Sequence, residues 1–200
     1  MGTPGPGAPR WFTDTKPGHA QWYIERFRTM AREGADLEGE ARLVDAMVQR
    51  GARVLDAGCG PGRLAGALHG RGLDVTGVDI DPELIEAART DHPGPTYHVA
   101  DLASLDLAGE PFDLIVSAGN VMVFLAPGSE RAVLQRLRDH TRPGGRIVIG
   151  FRREDGYPYD RFDEDTEAAG LVRELRFGTW GLDPYTDESD FAVTVLRRPE

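Results

Sequence analysis

Three aspartates and a cluster of glycines carry the chemical potential of this sequence. Asp56, Gly58, Cys59, Gly60 and Gly62 fall within seven residues, Asp79 lies 23 residues beyond Asp56, and Asp101 lies 22 beyond Asp79. A carboxylate two residues ahead of the first glycine can accept a hydrogen bond from a cationic amine. Glycines allow the backbone to turn tightly and a ligand to approach the main chain closely. Val54 and Leu55 before the turn read as an apolar strand end, and Arg63 to Leu68 after it as the start of a helix. A helix N-terminus presents unpaired N–H groups. Strand, glycine turn and helix start together make a cradle for a cofactor, with Cys59 as the small residue between two glycines.

The elements that must hold this cradle follow from periodicity. Gly18 to about Arg32 reads as a helix with Ala20, Tyr23, Phe27 and Met30 on one face, and Leu37 to Gln49 as a second, ended by Gly51. After the cradle, strand and helix alternate. Strands are expected at 74–78, 96–99, 112–117 and 146–151, and helices at 82–89 and 129–141. Asp81 is placed to cap the first of those helices and Pro82 to open it. Arg142-Pro-Gly-Gly145 reads as a turn. This alternation predicts an α/β fold, a doubly wound and mostly parallel sheet with helices on both faces. Leu171 to Trp180 and Phe191 to Arg197 are both strand-like and too close for a parallel crossover, so they should form a C-terminal antiparallel hairpin. Residues 1–17, rich in Gly and Pro, are expected to be a flexible tail in which Trp11 and Phe12 dock, on the core or, as the alternative, against a ligand. Residues 18–200 should form a single domain whose N-terminal part, 18–50, is a helical cap.

Composition narrows the class. The 200 residues are 40% hydrophobic and 28% charged, as in an ordinary globular protein, and the net charge is −10. A polyanion would be repelled on average, so a nucleic-acid partner is disfavoured. One cysteine allows no internal disulfide and no cysteine-rich metal cluster, and no metal-ligand spacing is present. No run is long enough to span a membrane and no signal peptide is visible, so a cytoplasmic location is expected. Of the five histidines, His98 lies nearest the candidate site in sequence and reads as a structural strand residue.

Val54-Leu-Asp-Ala-Gly-Cys-Gly-Pro-Gly62 resembles the first motif of the class I methyltransferases that use S-adenosylmethionine. Further pieces resemble that family in order: Val78-Asp79-Ile80, Ala100-Asp101-Leu102, Phe112-Asp-Leu-Ile-Val-Ser117 and Pro143-Gly144-Gly145. The resemblance implies a Rossmann-like sheet and S-adenosylmethionine as cofactor. It implies that Gly58 and Gly60 wrap the methionine part and that Asp79, with Ile80 beside it, binds the ribose hydroxyls. It also implies that Asp101 and the Leu102 N–H reach the adenine, and that Tyr23 on the N-terminal helix closes over the ligand. Asn120 has two open readings: contact with the cofactor carboxylate or substrate, or support of a turn. Nucleobase methyltransferases carry Asn/Asp-Pro-Pro-Tyr/Phe where this chain has Asn120-Val-Met, so a base is not the expected acceptor.

The implied reaction is in-line methyl transfer to a small molecule, with no catalytic residue assignable from the sequence. The loop from Phe151 to Tyr159, with two arginines and two tyrosines, is either a seat for an anionic or aromatic acceptor or a mixed-charge surface loop. Two alternatives remain. Gly60-Pro-Gly62-Arg-Leu-Ala65 also satisfies the dinucleotide pattern G-x-G-x-x-G/A of an NAD-dependent oxidoreductase. A non-catalytic cofactor-binding partner subunit is the second. Neither the oligomeric state nor the acceptor atom is legible.

Overall fold

The computed structural model describes residues 7–153 and 157–200. Among the described residues, seven strands form one sheet: β1 (Arg53–Ala57), β2 (Asp74–Asp79), β3 (Thr96–Val99), β4 (Phe112–Ser117), β5 (Thr141–Arg152), β6 (Val172–Phe177) and β7 (Phe191–Arg197). Their order is β3-β2-β1-β4-β5-β7-β6. The first five run parallel, while β7 lies antiparallel to both β5 and β6. The expected hairpin is therefore present, with its later strand on the inside.

Strands β1 and β4 are apolar on both faces because helices cover both. One face carries Leu55, Ile115, Ile147, Ile149 and Phe151 against α7 (Glu130–His140) and α8 (Tyr159–Ala168). The other carries Val54, Leu114, Val116 and Val148 against α3 (Gly39–Met47), α4 (Arg63–Gly70) and α5 (Pro82–Asp91). In α5, Asp81 accepts the Glu83 N–H at 2.9 Å and Pro82 occupies the first turn, as its sequence requires. Helix α2 (His19–Arg32) sits outside this frame. It buries Ala20 and Ile24 against Leu84 and Ala87 of α5, and Arg28 holds Asp91 through two hydrogen bonds of 2.8 and 3.1 Å.

The structure departs from the sequence expectations at three places outside the site. Residues 1–6 of the expected tail lie outside the described residues, but Arg10–Thr13 form a helical turn, α1. The turn exists because Trp11 finds both apolar and polar partners on the body of the protein. The Arg142–Gly145 turn is absorbed into β5 as a bulge: Phe112 pairs with Thr141 and Leu114 already with Arg146. Helix α8 has no counterpart in the expected elements. Its acidic run hides a helical stripe of Tyr159, Phe162 and Thr166, all buried.

Candidate functional site

The carboxyl ends of β1, β2, β3 and β4 open onto a cleft, where ligands of open parallel sheets bind. It lies between the β2 end (Asp79, Ile80), the β3 end (Asp101, Leu102) and the segment after β4. A smaller pocket continues from it past Gly58 and Gly60 to Asp56, Phe27 and Arg63, with Tyr23 lining both.

Asp56 is 1% exposed, and its Oδ2 has no hydrogen-bond partner among the described residues. Burial pushes its carboxyl up to about 7, while Arg63 and the Ala65 N–H pull less strongly the other way. A buried carboxylate oxygen without a donor is costly unless a cation completes it. Asp79 is half-buried; its Oδ2 accepts the Gly60 N–H at 2.8 Å and its Oδ1 the Asp81 N–H at 3.0 Å. Burial pushes it up to about 6 despite both bonds. Asp79 thus braces the glycine turn and presents its remaining lone pairs to the cleft. Asp101 caps a short 3-10 helix, Leu102–Ser104, by accepting the Ala103 N–H at 2.9 Å on Oδ1.

The glycine turn is tight for physical reasons. Gly58 has φ +83°, and a Cβ there would stand 2.3 Å from Cγ2 of Val121 in α6 (Val121–Phe124). Gly58→Ala should lower stability by about 2 kcal/mol, through strain and displacement of Val121. A thermal melt of the empty protein checks this, and an unchanged midpoint would show the turn to be pliable. The Gly58 and Cys59 N–H groups both bond to the Val78 carbonyl, at 2.8 and 2.9 Å. Cys59 is buried and its thiol pushed up by that burial, so its side chain packs as a small apolar group beside Tyr97 and Gly77.

Tyr23 faces the cleft, and burial raises its hydroxyl above the usual phenol range. Its neighbour Trp22 points outward, 55% exposed. Asn120 does not line either pocket. It adopts φ +65° at the start of α6 and accepts the Arg152 N–H at 2.8 Å on Oδ1, which ties the β4 end to β5. Of its two sequence readings, the turn is the one the geometry carries, and the adjacent Gly119 is what reaches the cavity. The loop Phe151–Tyr159 also differs from an exposed surface seat. Tyr157 and Tyr159 are buried; Tyr159 donates its hydroxyl to the Phe151 carbonyl at 2.9 Å, and Tyr157 bonds Asp165 at 3.3 Å. Residues 154–156 of that loop lie outside the described residues.

Arg63 and Phe124 are among the lining residues that were not singled out from sequence. Arg63 sits in the first turn of α4 beside Asp56 and is held by Glu40 at 2.7 and 3.1 Å. Its place directly after the glycines was the available signal. Phe124 was hidden in a short helix, α6, that no periodicity announces. Among the described residues, no group of three or more His, Cys, Asp or Glu could hold a metal ion, and no helix is long and apolar enough to cross a membrane.

This sheet, with its antiparallel last strand between β5 and β6 and an acid-and-glycine cradle at β1, defines the class I methyltransferase fold. Residues 54–145 match the family described as a methyltransferase domain. A TehB-like SAM-dependent methyltransferase from Corynebacterium glutamicum superposes with a TM-score of 0.87 at 44% identity, covering 92% of this chain and all of that one. The chain belongs to the class I S-adenosylmethionine-dependent methyltransferases, which displaces the dinucleotide-enzyme reading. Among curated relatives, a malonyl-[acyl-carrier protein] O-methyltransferase of Enterobacter lignolyticus is 32% identical over 70% of this chain and 53% of its own length. A magnesium-protoporphyrin O-methyltransferase of Rhodobacter capsulatus is 35% identical over 56% of this chain and 52% of its own. The chain thus spans about half the length of these two relatives.

Proposed function

We propose that this protein transfers the methyl group of S-adenosylmethionine to an anionic oxygen, a carboxylate, on a small-molecule acceptor. The observation that carries the cofactor half is the buried Asp56 Oδ2 that lacks a donor beside a glycine turn with no room for a side chain. That oxygen fits the ammonium group of the methionine moiety. Gly58 and Gly60 let the moiety lie against the main chain, with Tyr23 as the facing wall. Asp79 accepts from the ribose hydroxyls, with Ile80 beside it, and Asp101 with the Leu102 N–H takes the adenine edge. Cys59 and Asn120 support this arrangement through packing and turn geometry.

Bound there, the cofactor supplies a methyl group on a sulfonium whose leaving group is a neutral thioether, so no protein acid is required. The chain's part is then alignment, which can supply several kcal/mol of rate acceleration. A base is needed only for an acceptor that must lose a proton. The titratable residues lining the two pockets are Tyr23, Asp56, Cys59, Arg63, Asp79 and Asp101. The three aspartates are committed to the cofactor in this reading, Tyr23 and Cys59 are raised, and Arg63 is a cation. None is left free in this reading to take a proton near neutral pH, which favours an acceptor that arrives with its lone pair already available, as a carboxylate does. The two curated relatives support an oxygen acceptor by name, since malonyl and protoporphyrin groups both carry carboxylates.

The test is incubation with methyl-tritiated cofactor and a panel of small di- and tricarboxylic acids, phenols and amines. A carboxylate product releases labelled methanol in mild base. A base-stable product would overturn the carboxylate assignment. Cofactor binding with no transfer to any acceptor class would favour the partner-subunit alternative.

A further inference from the structure

Trp11 stands over the cleft from outside the sheet. It lines the same cavity as Asp79, Ile80, Asp101 and Leu102. Its indole Nε1–H donates to Asp81 Oδ2 at 2.8 Å, on the β2 side of the mouth. Its ring meets Phe124 edge-on at 5.6 Å, on the β4 side, and Tyr23 at 5.8 Å. The turn that carries it is fixed at both ends. The Arg10 N–H bonds the Leu125 carbonyl at 3.4 Å, and the Thr15 hydroxyl donates to the Trp11 carbonyl at 2.5 Å. A large, half-buried aromatic group therefore bridges the two walls of the cavity, anchored by a charge-assisted bond to the residue that also caps α5.

We propose that Trp11 is a contact residue for the purine–ribose half of the cofactor, with α1 laid across that half as its roof. The inference rests on the assignment of ribose to Asp79 and adenine to Asp101 made above. An indole face offers a π surface to a purine and excludes water from the ribose bonds beneath it. Asp81 acts as a positioning residue, since its Oδ2 fixes where the indole lies.

Calorimetric titration of the full chain with S-adenosylhomocysteine and with 5′-methylthioadenosine tests this. The second probe keeps the adenosine and lacks the amino acid. Trp11→Ala should weaken both by the same factor, roughly tenfold or more, the loss of one aromatic–base contact. Trp11→Phe keeps a ring but not the N–H, and should fall between wild type and Trp11→Ala for both probes. Wild-type affinity in Trp11→Ala overturns the proposal, as does a loss confined to S-adenosylhomocysteine, which would put the contact on the methionine half. Failure of the wild type to bind either probe would instead bring down the cofactor reading on which the proposal rests.

Discussion

Asp56→Asn should give a protein that melts at a higher temperature and binds its cofactor less tightly. Asp56 is fully buried and held near 7 rather than 3.8, with burial as the leading cause. Above pH 7 that difference costs the empty folded state about 4 kcal/mol. The direction with pH follows from proton counts. Between about pH 4 and 7 the folded chain keeps a proton that the unfolded chain has lost, so this group makes stability fall as pH rises through that window. An amide of the same shape removes the charge, and at pH 8 the empty variant should melt several degrees higher. An ammonium ligand reverses the balance by favouring the carboxylate. Cofactor affinity in the wild type should therefore rise between pH 5.5 and 7, by up to about tenfold per pH unit, as binding expels one proton. In the variant the affinity should drop at least about tenfold, and the slope should flatten to what Asp79, near 6, contributes. Calorimetry in two buffers of different ionisation enthalpy counts the proton directly. Equal proton release in wild type and variant would remove Asp56 from the amine site.

Asp79→Ala should cost more affinity. Two charge-assisted bonds to vicinal hydroxyls are each worth roughly 1.5–3 kcal/mol, which predicts a loss of at least about a hundredfold. The variant should also cease to distinguish S-adenosylhomocysteine from its 2′-deoxy analogue, the coupling that a double cycle reads. Stability should move much less. The Gly60 and Asp81 N–H groups lose their acceptors, but a half-buried carboxylate held near 6 goes with them. A large drop in melting temperature with cofactor discrimination intact would show that Asp79 serves only to brace the turn.

The parts of this molecule that were readable in the sequence are those in which local chemistry and tertiary role coincide. Gly58 and Gly62 are glycine because their φ values are +83° and +84° and a Cβ would strike Val121 or Ala88. Asp81-Pro82 opens α5 through a local cap. Parallel strands buried on both faces have to be mostly apolar, and in β1 the one fully buried polar side chain, Asp56, belongs to the candidate site. The unreadable parts depend on distant partners. Tyr157 and Tyr159 look like surface recognition groups until α8 folds back and buries them beside Phe151. That Trp11 docks was expected, but where it docks was not readable, because its partner Asp81 is 70 residues away. Asn120 could not be told from a ligand-binding amide because its acceptor role needs β5 in place.

The position of β7 has a consequence for how the chain is made. Strand β6 is synthesised before β7, yet among the described residues its only neighbour strand in the sheet is β7. Until Phe191–Arg197 leaves the ribosome, β6 has no seat, and the open side of β5 presents unpaired backbone groups flanked by Ile147, Ile149 and Phe151. An unpaired apolar edge is a template for wrong pairing, and vectorial synthesis prolongs its exposure. A nascent chain halted at about residue 185 would carry the whole cofactor cradle and still lack a closed sheet. Chaperone dependence should therefore concentrate in the interval between translation of β5 and translation of β7.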